Sequence, residues 1–595
     1  MREKLQSFNR YLKIFFESLK LFWKASPLYT TILMIVIPVQ GFLPSILINY
    51  SSKLVNGASV GFSEASMLVI LLLWASLNFF NNICNPINMT IQGLLTDKLI
   101  GYINLSLMNK SKDIKGLEHF ENPDFYDDLK MIEEEAVWRP VNLMVFGTSL
   151  IKNIILISSM LVLLASFHPV IALVMLISVV PHSLISYKLQ QDAFETMVTR
   201  NPDARKLQYY SSVLLSNENA KETRLFNNFN FFINKYKETF NFIHGDIKKL
   251  RFKQLFISIF FILISCILSF LSFAWIIVEI SKGHLGVGSI LVFSSTILYA
   301  TQGISAMIEE SSLLYDTLLY MEKFFKFMAL RNNIYVDGKK KLPKDFNNIE
   351  FKDLSFSYPN SERVALNNIN LAINKGEKIA IVGENGSGKS TLVKLLCRFY
   401  EAQKGDIFID DTNLKDYDLD DYRSSIGAVF QDFSKFSLSI RENIAISNIK
   451  ELENTKLIED AIKKGGFSKT FEKLNCNLNQ ILGKQFKDGT ELSGGEWQKL
   501  ATSRAFMVDS EILILDEPTA ALDARSEYEV YQQFLELVEN KTVLFITHRL
   551  SAVKMADKVV ALKDGEILEI GSHEELINKK GYYYELYTMQ AEAYV

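Results

Sequence analysis

The chain carries two hydrophobic patterns. Up to about residue 330 its apolar residues fall in long, nearly charge-free runs, and from residue 349 onward they fall in short runs that alternate with helical spacing. Crossing a ~30 Å hydrocarbon core takes about 20 residues of helix. Six stretches qualify: 28–50, 66–94, 141–167, 168–189, 254–280 and 287–308. The third and fourth meet at Ser166-Phe-His-Pro169, a turn with no room for an outside domain. Before the first, residues 8–24 set lysines among aromatic and aliphatic residues at helical spacing. That pattern predicts an amphipathic helix on the membrane surface. The predicted layout is an interfacial helix (1–27), a transmembrane domain with six helices and two long hairpins (28–330), a charged linker (331–348) and an α/β domain (349–595).

Lysine and arginine in the connections set the orientation. The N-terminal arm holds six, the connection between spans two and three holds six, and that between spans four and five holds eleven; the other connections hold only Lys53 and Lys282. Both termini are therefore expected in the cytoplasm. The basic connections, 95–140 and 190–253, read as spanning helices continued into the cytosol, with 121–126 and 224–229 as the hairpin tips. The sixth span continues as a polar helix to about residue 330, and Glu309 and Glu310 are expected to emerge solvated near the inner face.

Within the second span, Asn78, Asn81, Asn85, Asn88 and Gln92 share one helix face around a kink at Pro86. Amides in hydrocarbon face partners or a water-filled cavity. The stripe has two readings, the wall of a substrate pathway or hydrogen bonds that hold the bundle together. Serines 258, 265, 269 and 272 in the fifth span read as a seam for close packing.

The chemistry lies in the second half. The run 379–382 reads as a buried strand, Gly383-Glu-Asn385-Gly386-Ser387-Gly388-Lys389-Ser390-Thr391 follows it, and a helix begins there. This is G-x-x-x-x-G-K-[ST] in the context that gives it meaning. Glycines let successive N–H groups turn toward phosphate oxygens, and the helix N-terminus adds its dipole. Lys389 would reach the β- and γ-phosphates and Ser390 would sit on Mg²⁺, so ATP and Mg²⁺ are the expected ligands. A second buried strand, 512–515, ends in Asp516 and Glu517. These are placed to hold Mg²⁺ and to take a proton from the attacking water. A third, 543–546, ends in Thr547 and His548, on the ligand-binding edge of a parallel sheet.

Composition removes alternatives. A net charge of −3 argues against a nucleic-acid partner. The four cysteines, 84, 266, 397 and 476, lie too far apart for a disulfide framework or a zinc site. The N-terminus lacks the apolar core and cleavage site of a signal peptide.

The second-half motifs resemble the ATP-binding cassette transporters, and the likeness covers the whole chain. Leu492-Ser493-Gly494-Gly495-Glu496-Trp-Gln498 is close to the family's LSGGQ signature, with Glu496 in place of glutamine. The run 515–523 resembles the Walker B and D-loop segment, with Ala520 where serine is usual. Gln431 matches the Q-loop, His548 the switch histidine and Tyr358 the aromatic that stacks on adenine. The resemblance implies an α-helical six-span bundle joined to a P-loop NTPase cassette. It implies catalytic roles for Glu517, His548 and Gln431, and Mg²⁺ held by Ser390, Gln431 and Asp516. Two cassettes would close head to tail over two ATP molecules, Ser493, Gly494 and Gly495 of one copy completing the site of the other. With one cassette, the chain is expected to pair with itself or with a related half-transporter in a bacterial plasma membrane, its hairpin tips docking on the cassettes.

The order of spans and cassette resembles the exporter branch. The run 483–493 and Trp497 resemble bacterial transporters of lantibiotics and related modified peptides. The implied function is ATP-driven export of such a peptide by alternating access. A lipid or amphipathic drug is the alternative cargo, and an ATP-gated channel or sensor is the alternative from another class. Some peptide exporters carry an N-terminal cysteine protease; the first cysteine here is Cys84, so leader removal is expected elsewhere.

Overall fold

The computed structural model describes residues 2–167, 169–173, 202–217, 219–330, 338–343, 345–359, 361–517, 541–547 and 553–593, together with 185, 188, 189 and 192. The chain divides into two compact units, 1–111 with 128–330, and 112–127 with 331–595.

The first unit is helical: α1 (Arg2–Ala25), α2 (Pro27–Val60), α3 (Glu64–Asp113), α4 (Pro123–Glu135, its first residues in the second unit), α5 (Trp138–Phe167), α6 (Pro202–Leu215), α7 (Ala220–Leu225), α8 (Phe229–Ser281) and α9 (Gly288–Met328). Among the described residues five helices are long and apolar enough to cross a membrane, α2, α3, α5, α8 and the first half of α9. They match five of the six predicted spans; most of the fourth, 168–189, lies outside the described residues. The predicted extensions are present: α3 runs on to Asp113, α8 begins at Phe229 well before its apolar stretch, and α9 continues to Met328.

Small residues let the helices approach. A Cβ on Gly41 of α2 would lie 2.6 Å from Ile155 of α5, and one on Gly288 of α9 would lie 2.4 Å from the Ser52 carbonyl of α2. Beyond the apolar stretches, Arg139 of α5 pairs with both Glu135 and Asp316 of α9. Burial raises the Asp316 carboxyl, and Arg139 opposes that shift. The serines of the fifth-span seam are all half-buried.

The second unit holds strands β1 (Asn348–Ser357), β2 (Val364–Asn374), β3 (Lys378–Gly383), β4 (Lys404–Ile409), β5 (Thr412–Asn413), β6 (Ile426–Val429), β7 (Ile512–Asp516), β8 (Thr542–Ile546), β9 (Lys558–Lys563) and β10 (Glu566–Gly571). Its helices include α10 (Lys389–Leu396), α11 (Leu419–Ser424), α12 (Ile440–Ala445), α13 (Thr455–Lys464), α14 (Ser468–Lys473), α15 (Gly494–Phe506), α16 (His573–Lys579) and α17 (Tyr582–Ala593). Two sheets form, an antiparallel one in the order β2-β1-β4-β5 and a larger one in the order β10-β9-β3-β8-β7-β6. In the larger sheet β9, β3, β8, β7 and β6 run parallel. Strands β7 and β8 are buried at every position, as all-apolar runs in a covered parallel sheet must be. The carboxyl ends of β3 and β7 thus come to one edge, where ligands of such sheets bind.

Residues 112–127, the tip of the first hairpin, pack within this second unit. The Leu117 N–H donates to the Phe399 carbonyl at 3.1 Å, and the Leu117 side chain packs on the main core of the unit. Arg423 lies over the Phe399 ring, 5.0 Å from its centroid, and donates to the carbonyls of Lys115, Cys397 and Arg398 at 2.8–3.1 Å. Lys115 approaches Asp420 at 3.4 Å and Glu121 approaches Lys394 at 3.8 Å.

Candidate functional site

Strand β3 ends at Gly383 and α10 begins at Lys389, so the predicted glycine-rich turn stands between strand and helix. Gly383, Gly386 and Gly388 have φ of 152°, 80° and 105°. A Cβ at 383 would lie 2.2 Å from the Leu562 carbonyl, and one at 388 would lie 2.6 Å from Leu366 and 2.8 Å from the Ala365 carbonyl. Glycine is needed there for both backbone angle and space. The turn wraps the start of α10, whose first N–H groups, including those of Ser390 and Thr391, have no intrahelical acceptor.

The side chains suit an anion. Lys389 is buried and its ammonium donates to the carbonyls of Gly383 (2.9 Å) and Glu384 (2.8 Å), within its own loop. Burial lowers its pKa, and Glu517 and Asp516 counter that fall. The Ser387 hydroxyl is buried in the loop without a hydrogen-bond partner. An orphaned hydroxyl, a buried ammonium and a helix N-terminus fit the oxygens of a polyphosphate.

Asp516 closes β7 beside the loop. Burial pushes its carboxyl up to about 6, against the pull of a hydrogen bond from Ser390. A hydroxyl and a carboxylate in contact are the oxygen donors that Mg²⁺ takes. Glu517 has φ 47°, a left-handed conformation rare outside glycine. Three bonds hold it there: its N–H to the Ile546 carbonyl (2.9 Å), Gln498 Nε2 to its carbonyl (3.2 Å), and Gln431 Nε2 to its Oε2 (2.9 Å). Backbone strain held by surrounding bonds is common where a side chain must point at a reacting group. Tyr358 stands at the other end of the loop, its hydroxyl 3.0 Å from Thr391 Oγ1 and its ring edge-on to Phe356 and Tyr400. The fold thus gathers Tyr358, residues 383–391, Gln431, Asp516 and Glu517; His548 and Ala520 lie outside the described residues.

Comparison with known proteins agrees with this geometry. The family model described as ABC transporter matches residues 366–520. Over 547 residues the chain is 32% identical to the subtilin transport ATP-binding protein of Bacillus subtilis, covering 91% of this chain and 88% of that protein. Over 575 residues it is 30% identical to the nisin transport ATP-binding protein of Lactococcus lactis subsp. lactis, covering 96% and 95%. The chain is an ABC transporter. The transporter's fold matches that of a bacterial Atm1-family ABC exporter with ATP bound, with a TM-score of 0.77 over 95% of this chain and 98% of that one; at 21% identity the match is one of fold.

The transporter's signature segment opens α15. Ser493 and Gly494 are exposed, and among the described residues no hydrogen bond or ion pair joins Ser493, Gly494 or Gly495 to the P-loop of the same chain. Glu496 has a local role. Its carboxylate accepts from the Ser493 N–H (2.9 Å) and hydroxyl (2.8 Å), closing a capping box like those of Ser439 with Glu442 and Ser572 with Glu575. The Ser493 backbone bond, the first cause, lowers the Glu496 carboxyl below its usual range. Trp497 is buried, its indole N–H donating to Glu491 at 3.3 Å.

Arg504, also on α15, carries no motif signal yet joins the signature helix to the segment after Gln431. It is buried, donates to the Ser434 and Asn443 carbonyls and to Asn443 Oδ1 at 2.7–2.9 Å, and lies over the Phe436 ring. Arg423 and Lys394 were equally silent in the sequence.

The membrane amides are only partly accounted for by packing. Gln40 of α2 donates to Asn85 at 3.2 Å, and Gln92 donates to Thr148 of α5 at 2.6 Å, so two of the five hold helices together. Asn78 accepts from Asn82 in its own helix, Asn81 is half-buried, and the Asn88 Oδ1 is buried without a partner. Glu310 departs from the solvated position expected of it: Ser149 of α5 donates to one carboxylate oxygen at 2.9 Å, and the other is buried without a partner.

Proposed function

We propose that this transporter exports a modified peptide, of the kind that includes lantibiotics, across a bacterial plasma membrane at the expense of ATP. The carrying observation is the hairpin tip packed into the cassette's own compact unit, with Leu117 bonded to Phe399 and Arg423 bonded to Lys115. A nucleotide engine alone has no need of that contact; an engine that moves membrane helices does. The choice of peptide rests on the relatives named for subtilin and nisin transport, both aligned over most of their length. A lipid or amphipathic drug remains the alternative cargo, with no feature of this chain favouring it.

In this reading ATP lies with its adenine on Tyr358 and its phosphates in the loop 383–391. Lys389 turns from its two loop carbonyls to the β- and γ-phosphates, exchanging neutral acceptors for charged ones. Ser390, Asp516 and Gln431 would hold Mg²⁺, which supplies neutralisation of phosphate charge when bound. Glu517 accepts the proton of the attacking water, with Gln431 orienting its carboxylate and His548 in the role the family resemblance implies. Ser493 and Gly494, both exposed, complete the site of a second copy together with Gly495. Both termini and the cassette lie in the cytoplasm, as the lysine and arginine distribution requires. A glutamate retained at 517 speaks against an ATP-gated channel or sensor, which can dispense with fast hydrolysis.

The test is the ATPase rate of the full chain in proteoliposomes. Peptide is expected to stimulate it; stimulation by lipid or dye but by no peptide would contradict the reading.

A further inference from the structure

The helical unit contains three separate sets of hydrogen-bonded polar side chains, with unsatisfied oxygens among and beside them. In the first, Gln40 on α2, which is 7% exposed, donates to Asn85 on α3. Three and seven residues further along α3 stand Asn88 and Gln92, and Gln92 donates to Thr148 on α5. The next residue, Ser149, receives a bond from Asn153 at 3.2 Å and donates to Glu310 on α9 at 2.9 Å. Four helices thus contribute polar side chains, joined in separate sets, and Glu310 stands just past the apolar half of α9.

These positions are out of balance. Gln40 Oε1, Asn88 Oδ1 and Glu310 Oε2 are buried and accept no hydrogen bond. Among the described residues of this unit no buried side-chain nitrogen lacks an acceptor, and the one unpartnered buried hydroxyl is that of Thr296. At Gln40, Asn88 and Glu310 the surplus consists of acceptors, and one of them belongs to a carboxylate, which when ionised can only accept. Buried acceptors without donors are costly, and an ionised one more so. Helix packing alone does not account for this surplus, because the bonds that join the helices are already made by Asn85, Gln92 and Ser149. A ligand with several N–H donors and a positive charge would complete it.

We propose that Glu310, oriented by Ser149 and Asn153, is a cargo contact that receives an ammonium or guanidinium group of the exported peptide, so that the transporter selects cationic cargo. The proposal rests on the peptide reading above. Lys152 lies one helical turn from Ser149 on α5 and forms no ion pair among the described residues. It is the competing partner for Glu310.

The experiment uses the full chain in proteoliposomes and two probes, a lysine-rich amphipathic peptide and the same peptide with its amines acetylated. The concentration giving half-maximal ATPase stimulation is measured for wild type, Glu310→Gln, Glu310→Asp and Lys152→Met. Glu310→Gln should raise that concentration by about tenfold or more for the cationic peptide. It should leave the acetylated peptide within about twofold, and Glu310→Asp should recover part of the loss. If wild type responds to both probes alike, or Glu310→Gln weakens both equally, the inference fails and the peptide reading stands. If Lys152→Met reproduces Glu310→Gln for either probe, the carboxylate serves Lys152 and the inference fails. If no peptide stimulates the wild type, the peptide reading falls and this inference with it. Should Glu310→Gln not assemble, Ser149→Ala, which releases the carboxylate without removing it, must discriminate between the probes in the same direction.

Discussion

The nucleotide site and the membrane network solve opposite problems. The first binds a ligand of fixed shape, so its parts are local: a turn whose glycines are forced by φ and by the Leu562 and Ala365 carbonyls, and carboxylates at the end of one strand. The second draws single residues from four helices far apart in the chain, Gln40 with Asn85, Gln92 with Thr148 and Ser149 with Glu310. Local parts leave a motif; distributed parts leave only scattered polar residues in apolar runs. The difference teaches where the sequence alone can locate function in such a chain.

The largest effect is expected at Glu517. Glu517→Gln removes the proposed general base and should lower single-turnover phosphate release by about a hundredfold or more. Turnover within a few-fold of wild type would remove Glu517 from its role. Gly388→Ala comes next. It adds a Cβ 2.6 Å from Leu366 at a φ of 105°, and should cost the cassette roughly 2–3 kcal/mol and most of its ATP binding. Thermal unfolding of the full chain with and without ATP would check both.

A smaller effect is expected at the hairpin tip. Arg423→Ala removes the guanidinium that bonds Lys115, Cys397 and Arg398, and should cut peptide stimulation of the ATPase by about fivefold while sparing the basal rate. Equal loss of both rates would make Arg423 part of the cassette's stability rather than of the coupling.

Titration tests the carboxylate beside the loop. Asp516 sits at about 6 because of its burial, so below that pH it is protonated and holds a cation poorly. The kcat/KM for magnesium-ATP should therefore fall as pH drops through about 6, and kcat, read with the ligand bound, should fall at a lower pH. The linkage to folding has the opposite sign. A carboxyl raised in the folded state favours folding at low pH, and that contribution is lost as pH rises through about 6. Glu496→Gln should do least, since a capping-box glutamine bonds as glutamate does; a change in ATPase beyond about twofold would show that the charge beside Ser493 matters.

Much of the cassette was legible in the sequence, for a physical reason. The P-loop, Asp516, Glu517, Gln431 and Tyr358 each lie beside a buried strand end or a forced glycine, and those leave short recognisable strings. Five of the six spans were legible because crossing hydrocarbon demands length and apolarity together. Arg423, Lys394 and Arg504 were not, because an arginine or lysine over an aromatic ring looks like any surface cation until the fold brings the ring. Glu310 is not legible because position along one helix gives only depth, while its contact is with Ser149 on another. The amide stripe was half legible: spacing put five amides on one face, but could not say that Asn85 and Gln92 reach neighbouring helices while the Asn88 Oδ1 reaches none.

ATP hydrolysis at Glu517 is proposed to move peptide through the helices. The most direct test is uptake of a labelled cationic peptide into inside-out vesicles bearing the full chain. Wild type should accumulate peptide only with ATP and Mg²⁺, and Glu517→Gln should not accumulate it beyond a single turnover. Accumulation by the variant equal to wild type, or rapid ATP hydrolysis by wild type with no peptide entering, would rule out ATP-driven peptide export through Glu517.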